Sequence, residues 1–173
     1  MFGVPRKKVV LSPYNPQWVT LFQDERKRIS AVSDDILIEI EHVGSTSVEG
    51  LIAKPIIDIA ATYKDEGKIE DLIQKIESLG YEYVKDAGIS DRIYFSKRKK
   101  GISYYHLHIY LQDSINYQKQ IAFRVYLRKH PKARDEYGEL KKKLYEQYQD
   151  DRVKYTEEKT EFILDILSKV NSF

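Results

Sequence analysis

Along the chain, long stretches in which apolar residues return every three or four positions alternate with short ones in which they return every second position or run together. Helices and strands are therefore both expected. Trp18, Leu21, Phe22, Ile29 and Val32 keep helical spacing behind Asn15, which can cap, and Pro16, which fits a first turn. Ile36–Val43 reads as a strand closed by the small polar turn Gly44-Ser45-Thr46-Ser47. The run Ile56-Ile57-Asp58-Ile59-Ala60-Ala61 predicts a second, largely buried strand. Ile69, Leu72, Ile73, Ile76 and Leu79 form the stripe of another helix, stopped by Gly80. Three strands follow, Tyr81–Lys85, Arg92–Lys97 and Ser103–Leu111, the last two a hairpin around Arg98-Lys99-Lys100-Gly101. From Ser114, a capping residue, the pattern stays helical. A second helix restarts at Pro131, and a third runs from about Tyr155 to Val170.

No repeat, low-complexity tract or linker interrupts this order. The expectation is one α/β (α+β) domain over residues 1–173, with an α/β body to about 113 and a helical part from about 114 packed on it. No run approaches the roughly 20 apolar residues that cross a bilayer, and the start MFGVPRKK lacks the apolar core of a secretory signal; a cytoplasmic protein without membrane contact is expected. With no cysteine, disulfides, thiolate zinc sites and cysteine nucleophiles are excluded, and any metal needs His and carboxylate ligands.

Charge changes the picture only locally. A net +2 from 29 basic and 27 acidic residues does not announce a nucleic-acid binder. Yet Asp24–Glu49 holds seven acidic and three basic residues, Lys119–Lys154 holds eleven basic and six acidic, and Arg92–Lys100 holds five basic and none acidic. That asymmetry suits an anionic ligand; solvated helix faces produce it too. Fourteen tyrosines fit packing surfaces before base stacking.

Asp58 is the anomaly of its strand, because a carboxylate among isoleucines must be paired, hydrogen-bonded or metal-bound. Period-2 geometry places it with Ile56 and Ala60, away from Ile57 and Ile59, so it either meets a buried cation or points into a cleft. His106 and His108 share one face of their strand, where two imidazoles can hold a divalent ion or a phosphate, or simply bond to neighbours. His42 is a third candidate ligand, and His130 marks a helix boundary before Pro131. Gly44, Ser45, Thr46 and Ser47 can cradle a phosphate or serve only as a turn. Arg124 and Arg128, four apart on a helix, can grip an anion or pair with surface acids; Lys141, Arg152, Lys154 and Lys159 lie further along. The Walker loop, Gly-x-Gly-x-x-Gly, Gly-x-Ser-x-Gly and His-Glu-x-x-His are all absent.

Taken in order, Ile40-Glu41-His42-Val43-Gly44-Ser45-Thr46-Ser47-Val48-Glu49-Gly50-Leu51, Ala53-Lys54-Pro55-Ile56-Ile57-Asp58-Ile59, His106-Leu107-His108 and Phe123-Arg124-Val125-Tyr126-Leu127-Arg128 resemble the GrpB family. The likeness runs from Tyr14-Asn15-Pro16-Gln17-Trp18 to Lys159-Thr160-Glu161-Phe162-Ile163, with Glu49 standing where the family commonly has Pro. It implies a nucleotidyltransferase-like mixed sheet with helices; some relatives are fused to dephospho-coenzyme A kinase. In active nucleotidyltransferases the Gly-Ser turn holds the triphosphate, while an Asp-x-Asp pair and a third acid bind two Mg²⁺ ions that align the attacking hydroxyl and neutralise the pyrophosphate. Here Gly44, Ser45 and Asp58 match, but Ala60 stands where the second acid belongs, and the late strand offers His106 and His108, a set better suited to Mn²⁺ or Zn²⁺ than to Mg²⁺.

Two functions follow from the resemblance. One is metal-dependent nucleotidyl transfer to an unknown acceptor, with Asp58 catalytic, Asp58, His106, His108 and His42 as metal ligands, and Gly44–Ser47, Lys54, Arg124 and Arg128 on the phosphates. The other is a non-catalytic domain that binds a nucleotide or another phosphorylated small molecule. A nucleic-acid or protein partner has only the basic hairpin and Lys141-Lys142-Lys143 in its favour. Oligomeric state is open.

Overall fold

The computed structural model describes residues 2–5, 8–85, 89 and 91–170. After a two-residue strand, β1 (Val4–Pro5), helix α1 (Gln17–Ser33) begins where Asn15 Oδ1 accepts the amide of Gln17 at 3.0 Å. Its buried residues Trp18, Phe22, Glu25 and Ile29 recur at helical period and fix the face turned inward. Strand β2 (Leu37–Val43) leads through a single 3₁₀ turn (Ser45–Ser47) and an extended connector to β3 (Ile57–Tyr63). Helix α2 (Ile69–Ser78), β4 (Tyr81–Val84), β5 (Arg92–Lys99) and β6 (Ile102–Leu111) complete the body. The β5–β6 hairpin turns at Lys100 (φ 51°) and Gly101 (φ 78°), the left-handed pair a two-residue hairpin requires.

These strands form one six-stranded sheet in the order β2-β3-β6-β5-β4, with β1 antiparallel on β6. Only β3 and β6 run parallel, with Asp58 opposite His106 and Ala60 opposite His108. β3 lies inside the sheet, and Ile57, Ile59, Ala60 and Ala61 are fully buried, which explains its almost unbroken apolar run. Helices α1 and α2 cover one face over a core that includes Trp18, Phe22, Ile57, Ile59, Leu72, Ile76, Phe95 and Leu107.

The other face is covered by α3 (Ile115–Lys129), α4 (Pro131–Tyr148), α5 (Arg152–Glu157) and α6 (Thr160–Ser168). Ser114 caps α3 by accepting the amide of Tyr117 at 3.2 Å, and Pro131 opens α4. The single third helix expected from Tyr155 to Val170 is in fact two. Asp151 accepts the amide of Lys154 at 3.0 Å and starts α5 earlier, and the chain breaks at Glu158–Lys159 before α6. Small apolar clusters, Val43–Ala60–Tyr110–Tyr117 and Val48–Leu51–Leu127–Tyr137, tie α3 and α4 to the sheet. Between these clusters the layer does not close. No helix among the described residues is long and apolar enough to cross a membrane.

Candidate functional site

The gap between the sheet and the C-terminal helices is a cavity of about 300 Å³. Gly44, Ser45 and Thr46 of the turn, Lys54 of the connector, Asp58 of β3 and His106 of β6 form its floor; α3 to α6 supply Lys119, Phe123, Tyr137, Lys141, Tyr155, Lys159 and Ile163. Gly44 is required at the floor on two counts. Its φ is 68°, and a Cβ there would lie 2.5 Å from Asp58 Oδ2, so the carboxylate and the turn touch only because this residue has no side chain.

Asp58 Oδ1 lies 3.0 Å from His106 Nδ1 and 4.0 Å from His108 Nε2, so the three side chains singled out on β3 and β6 do converge. Burial pushes the Asp58 carboxyl up, but hydrogen bonds from His106 and His108 and their charge more than offset it and hold it well below the usual carboxylate range. His106 Nε2 faces Arg152 Nη2 at 3.5 Å. With Nδ1 turned to Asp58, Nε2 is the ring atom that meets the guanidinium. His108 is stacked on Tyr94 with ring centroids 5.0 Å apart and its Nδ1 3.5 Å from Arg92. Its desolvation lowers its pKa against the pull of Asp58.

His42 does not join them. It pairs in register with Ile59, one residue out of phase with Asp58, so its ring faces the α1 side and stacks on Phe22 at 4.8 Å. Nε2–H donates to Thr46 Oγ1 at 3.0 Å, and that hydroxyl donates to the Ile56 carbonyl at 3.3 Å. Burial lowers the His42 pKa to about 4 and keeps the ring neutral. Arg124 and Arg128 also lie outside the cavity. Arg124 Nη1 donates to Glu41 Oε2 at 2.7 Å and to the His42 carbonyl at 2.6 Å, while Arg128 Nη2 donates to the Ser47 carbonyl at 2.6 Å. These arginines hold α3 to β2 and to the turn. Ser47 Oγ is spent on the Gly44 carbonyl at 2.6 Å, so of the turn hydroxyls Ser45 alone meets a cavity side chain, Tyr137.

The cations at the cavity are lysines. Lys54, Lys119, Lys141 and Lys159 line it, opposed by one lining carboxylate, Asp58. Lys141 donates to the Ile52 carbonyl and lies 4.7 Å above the Tyr137 ring. Lys54 and Lys159 form no ion pair among the described residues; both sit over the Tyr155 ring, at 5.4 and 4.7 Å. Burial and the neighbouring Lys159 and Arg152 charges lower the Lys54 pKa to about 7, against the opposing pull of Asp58. Burial also lowers Lys159 to about 8 and Lys141 well below the ordinary lysine value. Tyr155 is almost wholly buried, and its hydroxyl has no hydrogen-bond partner among the described residues. Apart from Lys54, none of these residues was marked as a site by sequence reasoning. A signal was present: Lys119/Phe123 and Tyr137/Lys141 each put a lysine and an aromatic ring four residues apart on one helix face, and Tyr155/Lys159 repeats the spacing across the break between α5 and α6.

The site does not fit the two-ion arrangement that the fold implies. Hard ions need several oxygen ligands, and here Ala60 replaces the second acid, His106 stands beside Asp58, and the Asp58 Oδ1 that faces it is already hydrogen-bonded. Among the described residues no group of three or more His, Asp or Glu side chains is arranged to hold a metal ion.

The mixed sheet, the turn after β2 and the cavity beneath the C-terminal helices define a nucleotidyltransferase-like fold. A structure of the Cid1 poly(U) polymerase with MgGTP bound superimposes with a TM-score of 0.53 over 79% of this chain and 45% of that one, at 13% identity, a likeness of fold alone. The GrpB protein family model matches residues 8–169, and the chain belongs to that family. The crystal structure of the conserved protein GrpB from Enterococcus faecalis covers 92% of this chain and 96% of its own with a TM-score of 0.86 and 35% identity. The glutamate-rich protein GrpB of Alkalihalophilus pseudofirmus is 31% identical over 98% of this chain and its own full length. YqkA of Bacillus subtilis is 34% identical over 92% of this chain, which spans only 46% of that longer protein.

Proposed function

We propose that this protein is a binding domain for a nucleotide or another phosphorylated small molecule, seated in the cavity beneath α3 to α6. The observation that carries this reading is the convergence of Lys54, Lys119, Lys141 and Lys159 on one cavity whose single lining carboxylate is Asp58. Ammonium groups held close together out of water repel one another, and the pull of Asp58 on Lys54 and Lys159 offsets only part of the cost, since both pKa values stay below the ordinary lysine value. A multiply charged phosphate is the ligand that turns this repulsion into binding energy, through charge-assisted hydrogen bonds. At about 300 Å³ the space suits one small molecule and not a polymer, and Phe123, Tyr137 and Ile163 give it an apolar side against which a ring can lie.

Nucleotidyl transfer by the two-ion route has less support, because it asks for carboxylates that Ala60 and His106 do not supply. A thermal-shift screen of the full chain with pyrophosphate, AMP, ADP and ATP tests the binding reading. A ligand at a hundredfold excess over its Kd adds about 2.7 kcal/mol, which raises Tm by about 5–10 °C for a chain of this size. No shift with any of the four at millimolar concentration would refute it.

A further inference from the structure

Lysine ammonium groups line the cavity where a metal-assisted phosphate site would present oxygen ligands. We infer that the cavity takes its phosphorylated ligand free of divalent cation, with Lys54, Lys141 and Lys159 neutralising the charge that a metal would otherwise carry. This rests on the phosphate-binding reading and makes it specific.

A magnesium-bound polyphosphate brings a hydrated cation that must share its coordination sphere with protein oxygens. Among the described residues Asp58 is the only carboxylate lining the cavity, and its Oδ1 accepts from His106 at 3.0 Å, with His108 at 4.0 Å. Its Oδ2, turned toward Gly44, leaves one further oxygen where a hard ion needs several. The remaining charged groups facing the space, Lys54, Lys119, Lys141 and Lys159, are donors only, and Arg152 stands behind His106. They bind bare phosphate oxygens well and repel a bound cation. Tyr155 lines the same cavity under Lys54 and Lys159, and its buried hydroxyl has no hydrogen-bond partner among the described residues. The lowered lysine pKa values agree, since an anion among these amines would draw protons onto them.

Titration calorimetry of ADP and of pyrophosphate into the full chain, in EDTA and then in excess MgCl₂, decides the matter. Binding is expected in EDTA, and excess Mg²⁺ is expected to weaken it about tenfold, since Mg²⁺ removes two of the ligand's charges from the lysines. Lys54→Gln should cost a further 10- to 100-fold in EDTA, the range of one charge-assisted hydrogen bond. Asp58→Asn should tighten binding by removing the one repelling charge, whereas a metal-dependent site would lose affinity with the same change. Binding that appears only with Mg²⁺, or that Asp58→Asn abolishes while Lys54→Gln leaves intact, overturns the inference and leaves the phosphate-binding reading standing. No heat in either buffer overturns both.

Discussion

Two sets of basic side chains surround the segment from Gly44 to Lys54, and they have opposite surroundings. Arg124 and Arg128 are bonded to the protein itself: Glu41, the His42 carbonyl and the Ser47 carbonyl accept from them at 2.6–2.7 Å. Lys54 and Lys159 form no ion pair among the described residues and sit over the face of Tyr155, with only the longer-range pull of Asp58 on their charge. Folding positions the first pair and is opposed by the second. A guanidinium that satisfies buried carbonyls is structural, because removing it leaves acceptors bare. An amine held among other amines costs stability, which an arriving anion would relieve. The spacing of Arg124 and Arg128 looked like an anion clamp, but the clamp closes on the protein's own backbone.

The contrast can be broken first at the turn that both sets address. Gly44→Ala forces a Cβ to within 2.5 Å of Asp58 Oδ2 at a φ of 68°, and should cost about 3 kcal/mol or more in urea unfolding. A loss below about 1 kcal/mol would mean that turn and carboxylate are not locked together. Next, Arg124→Ala should destabilise by about 2–3 kcal/mol, leaving the His42 carbonyl without its donor, while the folded protein keeps its ADP affinity within about twofold. If affinity collapses instead, Arg124 belongs to the ligand.

Lys159→Ala should reverse that pattern, with ADP binding weakened 10- to 100-fold and stability changed by less than about 1 kcal/mol. The smallest effect is on pH. The folded pKa values of Lys54 and Lys159, about 7 and 8, lie below the ordinary lysine value of 10.5, so between them the unfolded chain holds more protons. Stability of the free protein should therefore climb as pH rises from about 7 toward 10, above which the tyrosines with raised pKa values, Tyr105 at about 12 among them, pull it down. Ligand affinity should run the other way and fall through pH 7–8. Thermal melts of the wild type and of Lys54→Met across this range compare the slopes, and an unchanged slope in the variant would exclude Lys54 as the titrating group.

Much of the fold was legible because its elements obey single rules. Trp18, Phe22 and Ile29 keep one helix face, Ile57 and Ile59 keep one strand face, and Lys100-Gly101 can form only a tight turn. The failures have local causes. Asp151 caps a helix that periodicity alone placed later, and His42 is one strand position out of phase with Asp58, which sends it to the other side of the sheet. Asp58 was legible as an anomaly, and its meeting with His106 follows from the parallel pairing of β3 with β6, which no local pattern encodes. The lysines were harder still. Lys119, Lys141 and Lys159 come from α3, α4 and the turn before α6, and they share a cavity whose one lining carboxylate among the described residues is Asp58, whereas along the chain Glu139 and Glu161 stand close to Lys141 and Lys159.

The central claim is that unpaired lysines of the cavity bind a phosphorylated ligand. Its most direct test is calorimetric titration of ADP in EDTA into the wild type and into the double variant Lys54→Ala/Lys159→Ala, with folding checked by melting. The account predicts one saturable site in the wild type and none detectable in a double variant that melts at or above the wild-type temperature near pH 7. Equal binding by both proteins would contradict it.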